Sequence, residues 1–404
     1  MSRLKVLHIN TLDTRGGASQ VALDLLAHLD ADCHIVTLIK QSDNPKVIKL
    51  KKNILDNFLG LMDKIVWQFG QRKSFRAFLT FDNEFNFTYN KIKKLKEYKE
   101  ADIIHLHNIH GGYFDYSALV KIASEKKVVW TLHDMWAMTG GEAYTFENEN
   151  FKMGIAYTPY IEHYPLLNPI IDRRKYFMEK KKKIYESISD SIVMVPVSLW
   201  LERSLRDSYV FNYDLRIKTI YNGFDTSIFI NKNNRNWNTP RILFFNLNNP
   251  FKGAELFISI LNKINFPFEL SIVGDKVDTT VTTTYENYIG ERSALSELYN
   301  KVDILIFPSR AENFPLTLLE AMGCGVCVVA SDTGGIPEII DDTTGFVFKS
   351  NNADDLLKKT NDALGNLETA RMKGYLAEDL VKNKFPLTKT CDEYVNLYKE
   401  ILND

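Results

Sequence analysis

The residues with the most chemical content lie in one run, Ser309-Arg310-Ala311-Glu312-Asn313-Phe314-Pro315-Leu316-Thr317-Leu318-Leu319-Glu320-Ala321-Met322-Gly323-Cys324-Gly325. An apolar strand over 304–307 would deliver Glu312 into a loop, and Pro315 suits the first turn of the helix that follows because its missing N–H is not needed there. The N–H groups of Leu316 and Thr317 would then point outward, an arrangement that favours anions. Glu320 falls inside the helix, so the two carboxylates are offset in depth and suited to different parts of one elongated ligand. Two glutamates at this spacing also fit an ordinary surface; their surroundings carry the signal.

Those surroundings repeat one plan. Pro250-Phe251-Lys252-Gly253 and Ile272-Val273-Gly274-Asp275 each follow a strand-like run, and Ala330-Ser331-Asp332-Thr333-Gly334-Gly335-Ile336-Pro337-Glu338 reads as strand, glycine-rich loop and helix. In the N-terminal half, Asn10-Thr11-Leu12-Asp13-Thr14-Arg15-Gly16-Gly17-Ala18 follows the first strand and opens a helix, where a phosphate or sugar can approach the backbone. His105-Leu106-His107-Asn108-Ile109-His110-Gly111-Gly112 and Trp130-Thr131-Leu132-His133-Asp134-Met135-Trp136-Ala137-Met138-Thr139-Gly140-Gly141 follow later strands, and Asn222-Gly223-Phe224-Asp225 closes that half.

The elements that must position these loops alternate. Strands are expected at 6–9, 34–38, 103–106, 128–132, 193–196 and 219–221, with helices at 18–29, 117–125 and 174–187. The pattern restarts after the Asn-rich stretch 231–238, closed by Pro240, and ends in an amphipathic segment at 389–402 after Pro386. Strand–helix–strand repetition implies parallel, doubly wound sheets. The division expected is a domain over 1–225, a linker over 226–240, a second Rossmann-like domain over 241–385 and a closing helix over 386–404, with a cleft between the two lobes. Ligands of such sheets bind outside the carboxyl ends of the strands.

Composition narrows the classes. The 404 residues carry 50 Lys+Arg against 51 Asp+Glu, with 45% hydrophobic and 25% charged residues. These proportions exclude disorder and leave no basic footprint for nucleic acid. Residues 1–225 carry a net +5 and 226–404 a net −6, so the first half is the one suited to an anionic surface. Four scattered cysteines and the absence of a signal-peptide pattern suggest a reduced, cytoplasmic protein, and the longest apolar stretch, 192–201, is too short to span a membrane.

The set from 241 to 348 resembles the C-terminal lobe of family 4 glycosyltransferases, whose Glu-x7-Glu motif, Lys-Gly turn and Gly-Gly-x-Pro-Glu loop come in this order. The N-terminal loops look like the bacterial polysaccharide branch of that family, related to colanic-acid-type transferases. The resemblance implies a GT-B fold and retaining hexosyl transfer from a nucleotide-diphosphate-sugar, with no divalent metal or other cofactor. It implies that Glu312 contacts the donor sugar, Glu320 the ribose and Lys252 the diphosphate. His133 would lie near the reacting sugar, so that His133, Glu312 and Lys252 form the catalytic set. Gly16, Gly17, Gly274, Phe314, Pro315, Leu316 and Thr317 complete the expected donor site, and Asp13, His107, His110 and Asp134 the acceptor side. The acceptor would be a growing surface glycan or lipid-linked oligosaccharide of a capsule, O-antigen or exopolysaccharide.

Retention with no obvious second carboxylate at the anomeric carbon suggests same-face attack, in which the donor phosphate takes the acceptor proton. The chain also departs from the family. Where an arginine often precedes the lysine it reads Asn246-Leu247-Asn248-Asn249, and Glu142 to Tyr164 lacks the cysteines frequent after the Gly-Gly of related polysaccharide transferases. Diphosphate binding then leans harder on Lys252.

Other features have plainer readings. His105, His107 and His110 straddle a strand end, the pair Cys324 and Cys327 stands alone, Asp30-Ala31-Asp32 fits a surface turn, and Lys180 to Lys183 fits a solvated helix face. Ile54, Leu55, Phe58, Leu59, Met62, Ile65, Val66 and Phe69 recur at helical spacing between basic residues. They suit either a helix resting on an anionic membrane, placing the enzyme peripherally at the inner face, or one packed on the first lobe. A non-hydrolysing nucleotide-sugar epimerase and a non-catalytic nucleotide-sugar binding protein are the rival functions. Hydride transfer is disfavoured because neither lobe has a clean G-x-G-x-x-G.

Overall fold

The computed structural model describes residues 3–14, 16–51, 58, 88–110, 113–146, 148–155, 174–211, 214–235, 237–246, 249–279, 281–286 and 290–404. The stretch 54–69, apart from Phe58, and the residues Leu247, Asn248, Gly111 and Gly112 lie outside these. Contacts divide the chain into two units, 1–220 with 391–404, and 221–390.

The first unit runs β1 (Lys5–Leu12), α1 (Gly17–His28), β2 (Asp32–Ile39), β3 (Val47–Lys49), α2 (Thr88–Ile92), α3 (Lys96–Glu100), β4 (Ile103–Leu106), α4 (Tyr116–Ala123), β5 (Lys127–Leu132), α5 (Arg174–Ser187), β6 (Ile192–Pro196), α6 (Leu199–Asp207) and β7 (Arg216–Ile217). Its sheet is parallel in the order β3-β2-β1-β4-β5-β6-β7. Covered on both faces, the central strands read as apolar runs rather than alternating ones, as in the fully buried Ile-Val-Met-Val-Pro of β6. The strand expected at 219–221 begins earlier, at Arg216. Lys218 and Ile220 still donate their N–H groups to Met194 and Pro196, so the chain keeps following β6 beyond the regular ladder.

The second unit runs β8 (Arg241–Asn246), α7 (Ala254–Ile260), β9 (Glu269–Gly274), β10 (Thr283–Glu286), α8 (Arg292–Tyr299), β11 (Ile304–Phe307), α9 (Leu316–Gly323), β12 (Cys327–Ser331), β13 (Phe346–Phe348), α10 (Ala353–Gly365) and α11 (Leu367–Lys384). The strand order is β10-β9-β8-β11-β12-β13, again parallel. Phe244, Phe257, Ile272, Ile306, Val329 and Leu356 pack in its core, each contributing about 1.5–3 kcal/mol by burial. Asn352 and Asn366 start α10 and α11 by accepting from the N–H groups of Asp355 and Thr369. The segment after Gly335 forms a short 3-10 turn, Ile336–Glu338.

The stretch 226–240 belongs to the second unit. Arg235 holds it there, donating to the carbonyls of Val302, Tyr299 and Cys324 and so satisfying acceptors at the ends of α8 and α9. The last helix, α12 (Leu387–Asn403), runs on into residues of the first unit.

Candidate functional site

In the second unit the chain leaves β8 toward β9 and β10, and leaves β11 toward β12 and β13. The loops after β8 and β11 therefore flank the switch point where open parallel sheets hold ligands. Lys252 ends the turn in the first loop, and Gly253 follows with φ 66°. A Cβ on Gly253 would come 1.9 Å from the Pro308 carbonyl oxygen, so a glycine is what lets the two loops touch. Arg310 donates its N–H to Phe251 across the same contact at 2.7 Å. As a result Lys252 Nζ lies 2.6 Å from Glu312 Oε1, which also accepts from Ser309 Oγ at 2.9 Å. Glu312 is only 6% exposed, whereas the lysine side chain remains 29% open. Gly334, at φ 60°, supports the glutamate from behind. A Cβ there would stand 1.7 Å from the Glu312 carbonyl oxygen, and the next N–H, of Gly335, donates to that oxygen.

Pro315 sits at the N-cap of α9, immediately before the first helical residue. Leu316 and Thr317 are then the first helical residues, and their N–H groups have no acceptor within the helix. Phe314 packs its ring against Tyr221 and Phe385, and its carbonyl accepts from Asn222 Nδ2 at 3.1 Å, so its side chain is core rather than ligand surface. Gly274 ends β9 with φ 111°, in register with Asn246. Glu320 is buried on α9, with Arg292 Nη2 3.8 Å from its Oε1. The Arg292 guanidinium also lies over the Phe229 ring, 5.2 Å from its centre. Arg292 escaped sequence reasoning, yet it opens α8. A cation at a helix N-terminus is unfavourable, and that misfit was its only signal.

In the first unit the switch point lies between β1 and β4. Gly16 caps α1 with φ 86°, and nothing lies within 4 Å of a Cβ built at Gly16 or Gly17. Asp13 is buried and occupied: it accepts from the N–H groups of Gln41 and Ser42 and from Ser42 Oγ at 2.7–2.9 Å. Burial alone would raise its pKa, but those donors hold the carboxyl below its ordinary value. It frames the loop after β2 and does not join the histidines.

Side chains alternate along strands, and β1 pairs His8 with His105 of β4. One face thus collects His8, His105, His107, Thr131 and His133. His8 Nδ1 lies 3.0 Å from His107 Nε2, and His107 Nδ1 lies 3.0 Å from His133 Nε2. His105 is engaged separately, Nδ1 with Tyr398 Oη and Nε2 with Thr131 Oγ1, both at 2.7 Å, while Tyr394 Oη reaches Thr131 at 2.6 Å. Burial holds all four histidines neutral at pH 7. It pushes His8 down to about 3 and His133 to about 4, the latter opposed by Asp134 and reinforced by His110, and drives His105 and His107 well below the ordinary histidine value. His110 Nε2 pairs with Asp134 Oδ2 at 2.8 Å. Burial would push Asp134 up, but His110 and the Trp136 N–H outweigh it and keep the carboxyl low.

Among the described residues, His8, His105 and His107 form the group whose ligand atoms lie close enough to surround an ion, within 4.8 Å of one another. His105 and His107 are stacked, however, with centroids 4.3 Å apart, so their in-plane lone pairs run side by side instead of converging.

The loop after β5 is held from beneath by α5. Lys181, expected on a solvated face, is buried: it donates to the carbonyls of Trp136 and Thr139 and lies over the Trp136 ring. Arg174 and Glu142 form a buried ion pair at 2.9 Å. Arg174 and Lys181 fall on the stripe of Phe177, Met178 and Tyr185 at three- and four-residue spacing, so periodicity carried the signal and their basic type hid it.

Residues 15–228 match the family described as Glycosyltransferase Family 4, and residues 239–366 match Glycosyl transferases group 1. Among curated relatives, a putative colanic acid biosynthesis glycosyl transferase of Escherichia coli is 22% identical over 74% of this chain and 76% of its own length. An N,N'-diacetylbacillosaminyl-diphospho-undecaprenol alpha-1,3-N-acetylgalactosaminyltransferase of Campylobacter jejuni is 31% identical over 38% of this chain and 43% of its own length. Among solved structures, the Anabaena protein HepE in complex with UDP-glucose superposes with TM-score 0.63 at 16% identity, covering 98% of this chain and all of that one. That likeness shows the fold, two Rossmann-like units in tandem of the GT-B type. Among the described residues no helix is long and apolar enough to cross a membrane. With a family match over more than half its length and the motif residues assembled at two switch points, the chain belongs to glycosyltransferase family 4.

Proposed function

We propose that this glycosyltransferase moves a hexosyl group from a nucleotide-diphosphate-sugar to a surface glycan or lipid-linked oligosaccharide, with retention and without a metal ion, at the inner face of the bacterial cytoplasmic membrane. The observation that carries the reading is the Lys252–Glu312 pair at the switch point of the second unit. A half-open lysine on the loop after β8, with helix N–H groups at Leu316 and Thr317 following the loop after β11, suits a diphosphate, whose charge grows as the sugar leaves. Donors preorganised there stabilise the transition state most. When Nζ turns to phosphate, Glu312 loses a partner in a buried place. Sugar hydroxyls are the natural replacement donors, so donor binding and release of Glu312 are one event. Glu320 beside Arg292 suits the ribose. The His110–Asp134 pair is the acceptor-side candidate, whereas His107 is buried in the histidine row and Asp13 is taken up by the loop after β2.

The acceptor class is supported by the names of the Escherichia coli and Campylobacter jejuni relatives. Same-face attack, with the donor phosphate taking the acceptor proton, leaves Glu312 free to bind sugar hydroxyls once Lys252 turns to phosphate. A covalent glycosyl adduct on Glu312 seen by mass spectrometry would replace that mechanism. Thermal shifts with UDP, GDP, ADP and CMP and their sugar conjugates test the donor site. One nucleotide should stabilise the wild type and lose its effect in Lys252→Ala. Activity undiminished by EDTA supports metal independence, and a free epimer formed without acceptor would instead favour an epimerase. Flotation with anionic liposomes tests the membrane surface.

A further inference from the structure

The imidazoles of His8, His107 and His133 form a string in which each contact joins two ring nitrogens 3.0 Å apart. Such a contact requires one hydrogen between the two nitrogens, and a neutral imidazole has one to give. His107, touched on both sides, must donate through one nitrogen and accept through the other. Only two arrangements satisfy both contacts. Running toward His133, His8 donates from Nδ1, His107 donates from Nδ1, and His133 accepts at Nε2 and carries its own hydrogen on Nδ1. Running the other way, His133 donates from Nε2, and the hydrogen of His8 is left on its Nε2.

The far end decides between them. His8 Nε2 is buried with no hydrogen-bond partner among the described residues, and His8 itself is fully buried. The reverse direction would leave an N–H there without an acceptor, and buried donors of that kind are rarer than buried acceptors without a donor. The backbone holds the middle ring still: His107 donates its N–H to Ile9 O, and its carbonyl accepts from Trp130 Nε1, both at 2.9 Å. His105 stays outside the string, because Tyr398 and Thr131 occupy its nitrogens.

We infer that His107, with His8 behind it, is a positioning residue that fixes the tautomer of His133, keeping Nε2 bare and Nδ1 protonated. On the reading that His133 meets the donor sugar, on which this inference rests for its functional meaning, His133 then serves as a hydrogen-bond donor to a sugar oxygen and not as a base.

Nitrogen-15 imidazole spectra of the full chain at pH 7.5, assigned with His133→Gln, read the tautomer directly. The expected result is a protonated Nδ1 and an unprotonated Nε2 at His133. A protonated Nε2 in the wild type overturns the inference without any further variant. His107→Leu should let His133 shift toward the Nε2–H form that isolated histidine prefers. His107→Asn keeps an N–H beside His133 Nε2 and should restore the wild-type pattern; an unchanged pattern in His107→Leu overturns the inference. In transfer assays His107→Leu should lower kcat about tenfold with donor KM within twofold, and His107→Asn should recover most of it. If the tautomer follows the prediction while kcat does not move, the string stands and the donor-sugar role of His133 falls. One equivalent of zinc bound tightly through His8 and His107 would show a metal site and overturn the inference as well.

Discussion

The two units share a sheet plan but equip their switch points differently. The second unit places charges there, Lys252 against Glu312 and Arg292 against Glu320. The first places a row of neutral imidazoles, with the His110–Asp134 contact in the loops that follow. A diphosphate arrives with charge and suits a cation that can exchange partners. On the proposed reading, a sugar ring needs direction more than charge, and a neutral His133 held in one tautomer by the row behind it would supply it. The lesson is that one sheet plan carries charged pairs at one switch point and neutral, mutually hydrogen-bonded rings at the other.

The largest effect should come from breaking the charged side. Lys252→Ala is expected to lower kcat/KM about 1,000-fold, equivalent to about 4 kcal/mol, whereas His133→Ala should lose about 10- to 100-fold. Steady-state kinetics at saturating acceptor would show whether this ranking holds, and equal losses would erase the contrast. The charge in the first unit is structural by comparison. Arg174→Met should destabilise that unit by about 3 kcal/mol in urea unfolding by stranding Glu142, and adding Glu142→Met should recover most of it.

Gly334→Ala probes the charged site without touching a charge. The new Cβ meets the Glu312 carbonyl, so we expect about 2 kcal/mol of destabilisation and lost donor affinity, seen as a lower melting temperature and a smaller nucleotide shift.

The smallest test sharpens the neutral side. Folded-state pKa values of His8 and His133 lie below the unfolded value near 6.5, so the unfolded chain binds more protons as pH falls below it. Stability present above pH 6.5 should therefore decline toward pH 4, by at most about 1.4 kcal/mol per pH unit for each histidine. Hydrogen exchange should show peptides of β1, β4 and β5 opening first as pH drops from 7 to 5, and His8→Leu should flatten the dependence.

Much of this arrangement was legible in the residues. Strands bounded by glycine-rich loops located Lys252, Glu312 and Glu320, because turn chemistry is local. What stayed hidden depends on register or on long side chains. His8 sits in Lys-Val-Leu-His-Ile and reads as part of an apolar strand; only its pairing with His105 gives it company. Lys181 and Arg235 look solvated by type, yet their stems are buried and their heads cap carbonyls distant in sequence.

The pairing of Phe224 with Phe385 and Leu387 has a temporal consequence. Phe224 donates its N–H to Phe385 O, and Leu387 donates to Phe224 O, so the chain enters and leaves the second unit side by side. During synthesis, residues 221–390 can close on themselves as soon as they emerge. The first unit, although made earlier, lacks Tyr394 and Tyr398 over His105 and Thr131 until the last turns of α12 are translated. The half that is begun first is the half that is finished last.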